Sequence, residues 1–325
     1  MPAKRATDQE VTRDAVEAAN EMSEAQAAAN LNVHRAEDRP PVDPVVVTIQ
    51  SHVAYGHVGN DAAIFPLQVS GFEVIDVPTT LLSNHPGYPT MRGEFVEPRL
   101  IRDLLQGLRE RNVASFATGI ISGYLGDPGT AGEVLDFVRD AKGHNAALRY
   151  LCDPVMGDTP GIYVDPALPD RFRNELVPVA DAITPNQFEF ELLTGTAVTT
   201  TADLLAAADA LVRAGIGTVV VTGTQLDDTP ADSLDVYGVT AEGAWRVRTP
   251  RFDFTPVGTG DVYTALFAAS WFRDGDVAAA ISAAASGVYA VLTITREANV
   301  SEMRLVASAA KLLNPDTVFP AERVR

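Results

Sequence analysis

Late in the chain, Gly258-Thr259-Gly260-Asp261 has the residue types and spacing of an anion site beside a proton acceptor. Two glycines around one threonine permit tight, left-handed backbone geometry. Successive N–H groups can then point into one concavity, joined by the unsatisfied amides of a helix that follows. Such a nest suits an oxyanion, including the charge that develops on phosphoryl oxygens during transfer. Asp261 beside it could accept the proton of an attacking hydroxyl. The same residues also read as a glycine-rich turn whose aspartate caps a helix, and taken alone they leave both readings open. They form neither a Walker A motif, because no Gly-Lys-Ser/Thr follows, nor a dinucleotide fingerprint, because the third glycine is missing and the position is late.

Other polar residues fall where an α/β sheet would place a site, at the carboxyl ends of strands. Asp153 follows an apolar run in Cys152-Asp153-Pro154-Val155-Met156-Gly157-Asp158. Asn186 and Glu189 lie in Thr184-Pro185-Asn186-Gln187-Phe188-Glu189, and Thr222-Gly223 closes the run after that. Asp153 and Glu189 suit direct or water-mediated Mg²⁺ coordination beside phosphates, since Mg²⁺ takes few hard oxygen ligands and keeps water. Structural readings stand next to these: Asp153 before Pro154 as a turn former, Glu189 as a complement to a helix dipole. His52 and His57 flank Tyr55-Gly56, His85 follows Ser83-Asn84, and none has HExxH spacing. His34 and His144 read as surface residues. The single cysteine, Cys152, cannot form an intrachain disulfide and reads as a core residue.

These groups need a scaffold, and the pattern predicts one. Short β-branched or apolar strands are expected at 45–49, 72–77, within 113–121, at 148–152, 182–184 and 218–222. Helices are expected at 61–70, 100–111, 132–141 and 202–214. The alternation argues for a mainly parallel sheet covered by helices. A glycine-containing turn is expected over 51–60, and a late hairpin over 235–240 and 244–248 turns at Gly243. Three helical segments, 261–271, 277–292 and 302–313, complete the pattern. Residues 1–43 are expected to be a flexible extension, and 44–325 a single domain: the first 30 residues have almost no large apolar side chains to bury.

Acidic residues outnumber basic ones 43 to 25, for a net charge of -18. That field disfavours nucleic acid as a main partner, while a local amide nest and a cation can still hold a nucleotide. Lysine is confined to Lys4, Lys142 and Lys311, which fits either a coding bias or adaptation to salt. No apolar run is expected to reach the roughly 18 residues that cross a membrane, and no signal peptide is read at the start. A cytoplasmic location is expected.

Ser51-His52-Val53-Ala54-Tyr55-Gly56-His57-Val58-Gly59-Asn60 resembles the N-terminal signature of pyridoxal kinases. Ser83-Asn84-His85-Pro86-Gly87-Tyr88, Ser122-Gly123-Tyr124, the Asp153 and Glu189 motifs and Gly258-Thr259-Gly260-Asp261 follow in that family's order. The resemblance runs from about residue 45 to the C-terminal helices. Only the last motif is common to the whole ribokinase-like superfamily. It implies a three-layer α/β/α sandwich with a mostly parallel central sheet, usually a homodimer. It also implies ATP and Mg²⁺, often with K⁺, and phosphorylation of the 5'-hydroxymethyl group of pyridoxal, pyridoxine or pyridoxamine.

Carried over by motif, Ser51 would bind the pyridine nitrogen or a neighbouring ring substituent. Tyr124 would shape the ring pocket with His85 and Pro86. Asp261 would be the base, and Gly258, Thr259 and Gly260 would hold the transferring phosphoryl group. Asp153 and Glu189 would organise Mg²⁺ and phosphates, with Asn186 and Thr222 at ATP. Two departures stand out: relatives often have a second polar side chain at Gly223, and threonine at Pro86. Proline offers neither a hydroxyl nor an N–H, so looser polar recognition is expected there. The segment 225–233 matches the family's lid, and its Asp227-Asp228 pair is unusually acidic for a cover over phosphates. The rival readings are a hydroxymethylpyrimidine kinase of thiamine synthesis, a sugar or nucleoside kinase, and a non-catalytic B6-binding protein.

Overall fold

The computed structural model describes residues 43–325 apart from 160 and 255. The expected N-terminal extension, but for its last residue, lies outside the described residues. Along the chain run β1 (Val45–Tyr55), α1 (Asn60–Val69), β2 (Glu73–Asn84), β3 (Gly93–Phe95), α2 (Pro98–Glu110), β4 (Ala117–Ser122) and α3 (Pro128–His144). Then come β5 (Arg149–Cys152), β6 (Gly157–Asp158), β7 (Gly161–Ile162), α4 (Leu168–Arg171), β8 (Ala182–Ile183), α5 (Gln187–Thr194), α6 (Thr201–Arg213) and β9 (Thr218–Thr224). The last elements are β10 (Ser233–Val239), β11 (Ala244–Pro250), α7 (Thr259–Asp274), α8 (Val277–Glu297), α9 (Ala309–Leu313) and β12 (Glu322–Arg323).

Ten strands form one sheet in the order β12-β11-β10-β9-β8-β5-β4-β1-β2-β3. The six from β9 to β2 are parallel, and antiparallel strands flank both sides. Side chains alternate across the sheet with the period of two that a strand imposes. Val47, Ile49, Ile120, Tyr150, Val219 and Val221 enter one core, where α2, α3, α5 and α6 pack. Val46, Ile121, Leu151, Ala182 and Val220 enter the other, beneath α1, α7 and α8. This is the expected three-layer sandwich. Local chemistry fixes the helix starts. The Asp127 carboxylate accepts from Gly129 N–H with Pro128 at the first helical position of α3, and Asp276 caps α8 through Ala279 N–H.

Several expectations are corrected. β1 continues through Tyr55, so half of the expected 51–60 turn is strand, and β2 runs on to Asn84. Apolar alternation stops at Pro78-Thr79-Thr80, where the β1–β2 register slips between Gln50 and His52. Such a bulge re-aims the residues around it, here Ser51. The 302–313 helix is instead an irregular segment, a 3₁₀ turn at Val306–Ser308 and the short α9. Met303 and Leu305 are buried in the second core, and Arg304 N–H bonds the Thr295 hydroxyl, so this stretch follows the core and not a helical period. The expectation about apolar runs also fails. α8 is long and apolar enough to cross a membrane by length and composition, and half of its most apolar window is buried in the fold. Its small residues allow close packing: a Cβ on Gly287 would lie 2.8 Å from the Leu266 side chain.

Asp235 in β10 is fully buried, and Arg248 of β11 grips both of its oxygens, at 2.7 and 2.6 Å. Removing one partner of such a pair strands the other charge in the fold. Arg248→Ala is expected to cost about 3 kcal/mol in chemical denaturation. A loss below about 1 kcal/mol would mean that water reaches Asp235.

Candidate active site

β1 connects to β2 on one side while β4 lies on the other, so the chain reverses direction across the sheet between β1 and β4. The crevice at the carboxyl ends there is where open α/β sheets bind ligands. Ser51 and Tyr124 stand at the two lips of that crevice, and Asp153, Asn186 and Thr222 continue along the same edge after β5, β8 and within β9.

Gly258 caps α7 in the left-handed region, with φ 85°. A Cβ there would come within 1.9 Å of the His57 carbonyl oxygen, so backbone lies directly on backbone. Gly59 (φ 53°) is packed equally closely, because a Cβ would sit 2.3 Å from Ser51 Oγ. The Gly59 amide lies close enough to the Asp261 carboxylate to favour its charged form. These contacts bring Ser51, Gly59 and Asp261 together across some two hundred residues. Gly260 faces open space. The Thr259 hydroxyl is turned away from the opening, donating to the Pro256 carbonyl at 2.7 Å, so what Thr259 offers toward an anion is backbone. Burial pushes the Asp261 carboxyl up to about 6, against the pull of the Gly59 amide.

Behind Asp261 lies a buried acidic pair. Asp153 Oδ2 accepts from Thr264 Oγ1 at 2.9 Å, and Thr264 also meets Thr184 Oγ1 at 3.1 Å. Burial, then the charges of Glu189 and Asp261, push Asp153 well above the carboxylate range. Glu189 forms a capping box with Asn186 at the start of α5. Its Oε1 accepts from Met156 and Gly157 N–H, and its Oε2 from Asn186 N–H. Burial nevertheless pushes it up to about 7. Both Glu189 oxygens are thus engaged by backbone, which narrows its expected metal role to an indirect one. Among the described residues no group of three or more His, Cys, Asp or Glu could enclose a metal ion. Asp153, beside like charges that a cation would relieve, fits Mg²⁺ completed by phosphate and water.

Asn186 Nδ2 donates to Gly157 O at 2.9 Å, and Thr222 lies next to it, its N–H on Pro185 O. Gly223 has φ 62°, which explains the glycine where a second polar side chain was expected. Asp228 is exposed but tied to its neighbours. Its carboxylate accepts from Thr201 Oγ1 at 2.6 Å, a bond that holds it below the usual range, and its carbonyl accepts from Arg248. An open groove of about 410 Å³ lies between the 225–233 segment and the stretch leading from β11 to Gly258, lined by Ala231, Asp232, Arg251, Phe252, Asp253 and Phe254.

Of the residues expected around the acceptor ring, Tyr124 is half-buried and Pro86 is exposed. His85 is buried, with both ring nitrogens engaged: Nδ1 accepts from Gly87 N–H at 3.2 Å and Nε2 meets Glu302 at 3.1 Å. His85 therefore presents only its ring to a ligand. His52, left open by the sequence, pairs with Asp61 at 3.1 Å. Cys152 is a core residue whose thiol burial pushes up to about 12. Two residues were not anticipated. Thr264 follows Asp261 by three on α7, a spacing that places both on one helix face. Glu302 sat inside an expected helix, and nothing in its local pattern marked it.

A folded-state value above the ordinary one for Asp261 means that its ionisation opposes folding. Its favourable share is complete below the unfolded value of 3.8 and is lost as pH rises through about 6. Asp261→Asn should therefore melt higher than the native chain at pH 8, with the gap closing near pH 4. Equal melting at pH 8 would show that the carboxylate is well solvated.

The family model described as phosphomethylpyrimidine kinase matches residues 115–305. The pyridoxal kinase PdxY of Deinococcus radiodurans is 44% identical over 293 residues, covering 88% of this chain and 98% of that protein. The PdxY of Leifsonia xyli is 42% identical, covering 86% and 99%. Among solved structures, pyridoxal kinase from Leishmania donovani in complex with ADP and pyridoxine superposes with a TM-score of 0.80 at 29% identity, covering 86% of this chain and 99% of that one. Identity of this order across nearly the whole described fold means that the chain belongs to the pyridoxal kinase family and is an enzyme.

Proposed function

We propose that the chain transfers the γ-phosphoryl group of ATP to the 5'-hydroxymethyl oxygen of pyridoxal, with pyridoxine and pyridoxamine as alternative acceptors, releasing ADP. The observation that carries this reading is the seating of Gly258 on the His57 carbonyl. It sets an amide nest and a carboxylate of raised pKa against the 51–60 segment that resembles the family signature.

Ser51 binds the pyridine nitrogen or an adjacent substituent, Tyr124 walls the ring pocket, and the His85 ring and Pro86 border it. A carboxylate with a value near 6 is ionised at neutral pH yet basic enough to take a hydroxyl proton. As that proton moves to Asp261, the acceptor oxygen attacks the γ-phosphorus in line, and the bond to the bridging oxygen of ADP breaks. The amides of residues 258–260 and the start of α7 hold the charge on the equatorial oxygens. Asn186 and Thr222 face the phosphates, and the groove at Arg251–Phe254 takes the nucleoside. Asp153, with Glu189 acting through water, would hold Mg²⁺, which supplies positive charge along the phosphates. K⁺ dependence and a homodimer complete the reading as family traits.

The description of the matched family model favours a second reading, a hydroxymethylpyrimidine acceptor. The matched segment, 115–305, contains the nest, Asp153, Glu189 and Asp261, but not residues 51–88, where Ser51 and His85 lie. An acceptor panel with ATP and Mg²⁺, repeated with Na⁺ for K⁺, separates the two. Phosphorylation of hydroxymethylpyrimidine alone would refute the B6 assignment. Asp261→Asn should lower kcat by about 10²- to 10⁴-fold while the KM for ATP stays close to native. Near-native turnover would remove Asp261 as the base.

A further inference from the structure

Glu302 is claimed by three segments that are far apart in sequence. Its Oε2 accepts from His57 N–H at 3.2 Å, and its Oε1 accepts from Tyr88 Oη at 2.5 Å and meets His85 Nε2 at 3.1 Å. Because His85 Nδ1 accepts from Gly87 N–H, the ring proton must sit on Nε2, so His85 too donates to Glu302. Gly56, at φ 97°, leaves room for the carboxylate: a Cβ there would lie 2.9 Å from Oε2. The neighbouring Met303 is buried, and its Sδ lies 4.0 Å from Thr259 Oγ1. The Glu302 side chain is only 20% exposed. Burial alone would raise it, but the Tyr88, His85 and His57 donors prevail and hold it below the usual range.

We propose that Glu302 is a positioning residue for the phosphoryl acceptor. Resting on the kinase reading above, it fastens the 83–88 loop to the peptide 56–57 on which Gly258 is seated. The loop that borders the ring pocket and the nest that holds the phosphoryl group are thereby held in register. Glu302 touches neither the acceptor nor ATP; it acts through His57, His85 and Tyr88.

The arrangement requires a carboxylate, not merely a polar side chain of that length. Three donors converge on two oxygens, and glutamine offers one oxygen and one NH₂. If its oxygen faces His57 N–H, the NH₂ meets His85 Nε2–H. Relief would need the other His85 tautomer, which sets Nδ1–H against Gly87 N–H. If the amide is flipped, the NH₂ opposes His57 N–H instead.

The test is Glu302→Gln in the full chain. The KM for pyridoxal should rise about tenfold, the size of one lost charge-assisted hydrogen bond, with the KM for ATP unchanged within about twofold. Without any ligand, amide hydrogen exchange should speed up at residues 56–58 and 83–88 and stay native at 153–158. The Tyr88 phenol, pushed up to about 12 chiefly by its bond to Glu302, should ionise closer to its ordinary 10. Tyr88→Phe removes one donor and should show the same split to a smaller degree, and it carries the test if Glu302→Gln does not fold. An unchanged pyridoxal KM, or a parallel rise in the KM for ATP, would overturn the proposal. If the native enzyme phosphorylates no B6 compound, the functional reading fails, and the exchange measurement alone decides: native exchange at 83–88 would then overturn the role of Glu302.

Discussion

The contact between Gly258 and the His57 carbonyl is the constraint on which the rest of the site depends. It joins the start of α7 to the end of the first strand with no side chain between them, which only glycine permits. Ser51, Gly59 and Asp261 are neighbours because of it. The bulge at Ser51, the positive φ of Gly59 and the irregular stretch around Glu302 all serve the same closure. A rigid parallel sheet presents its strand ends to that junction, and the mobile parts of any ligand would have to fit what the backbone has already fixed.

Electrostatics pull the other way. Asp153 and Glu189 are buried and half-buried Asp261 lies near them, in a chain that is already strongly acidic. Each carboxyl is raised, so the fold holds its charges at a cost. Backbone amides offset part of that cost at Glu189, and the Thr264 hydroxyl does so at Asp153. The remainder is available to be relieved by a cation and, in the proposed transfer, by the proton that Asp261 would accept. An arrangement that opposes stability in the ligand-free protein is thus suited to a site whose ligands arrive with metal.

Much of this was legible in the sequence. Continuous β-branched runs such as 218–222 specify their elements through local physics, and that strand appears where expected. The glycine-rich turn left two readings open, and the structure removes one: the cap is Gly258 with no side-chain cap bond, so Asp261 lies inside the first turn of α7 and does not cap it, while Gly258 packs on the His57 carbonyl. What could not be read depends on contacts distant in sequence. Polar residues at 78–84 form a strand because β1 and β3 pair with them, not because their pattern alternates. Glu302 left its expected helix because His57, His85 and Tyr88 draw its carboxylate to them. Glu189 combined a metal-site residue type with a capping-box spacing, and only its engaged oxygens decide between direct and indirect ligation.

The reversal between β1 and β4 also divides the chain by inheritance. Every residue proposed to meet the acceptor ring except Tyr124 lies before β4, whereas the residues proposed for phosphoryl transfer lie within 115–305, the stretch that the phosphomethylpyrimidine kinase family model matches. A lineage could therefore exchange one alcohol for another by drift in the first two strands and their loops, leaving the transfer step untouched. The seam that makes the crevice is also the seam along which new specificities can evolve.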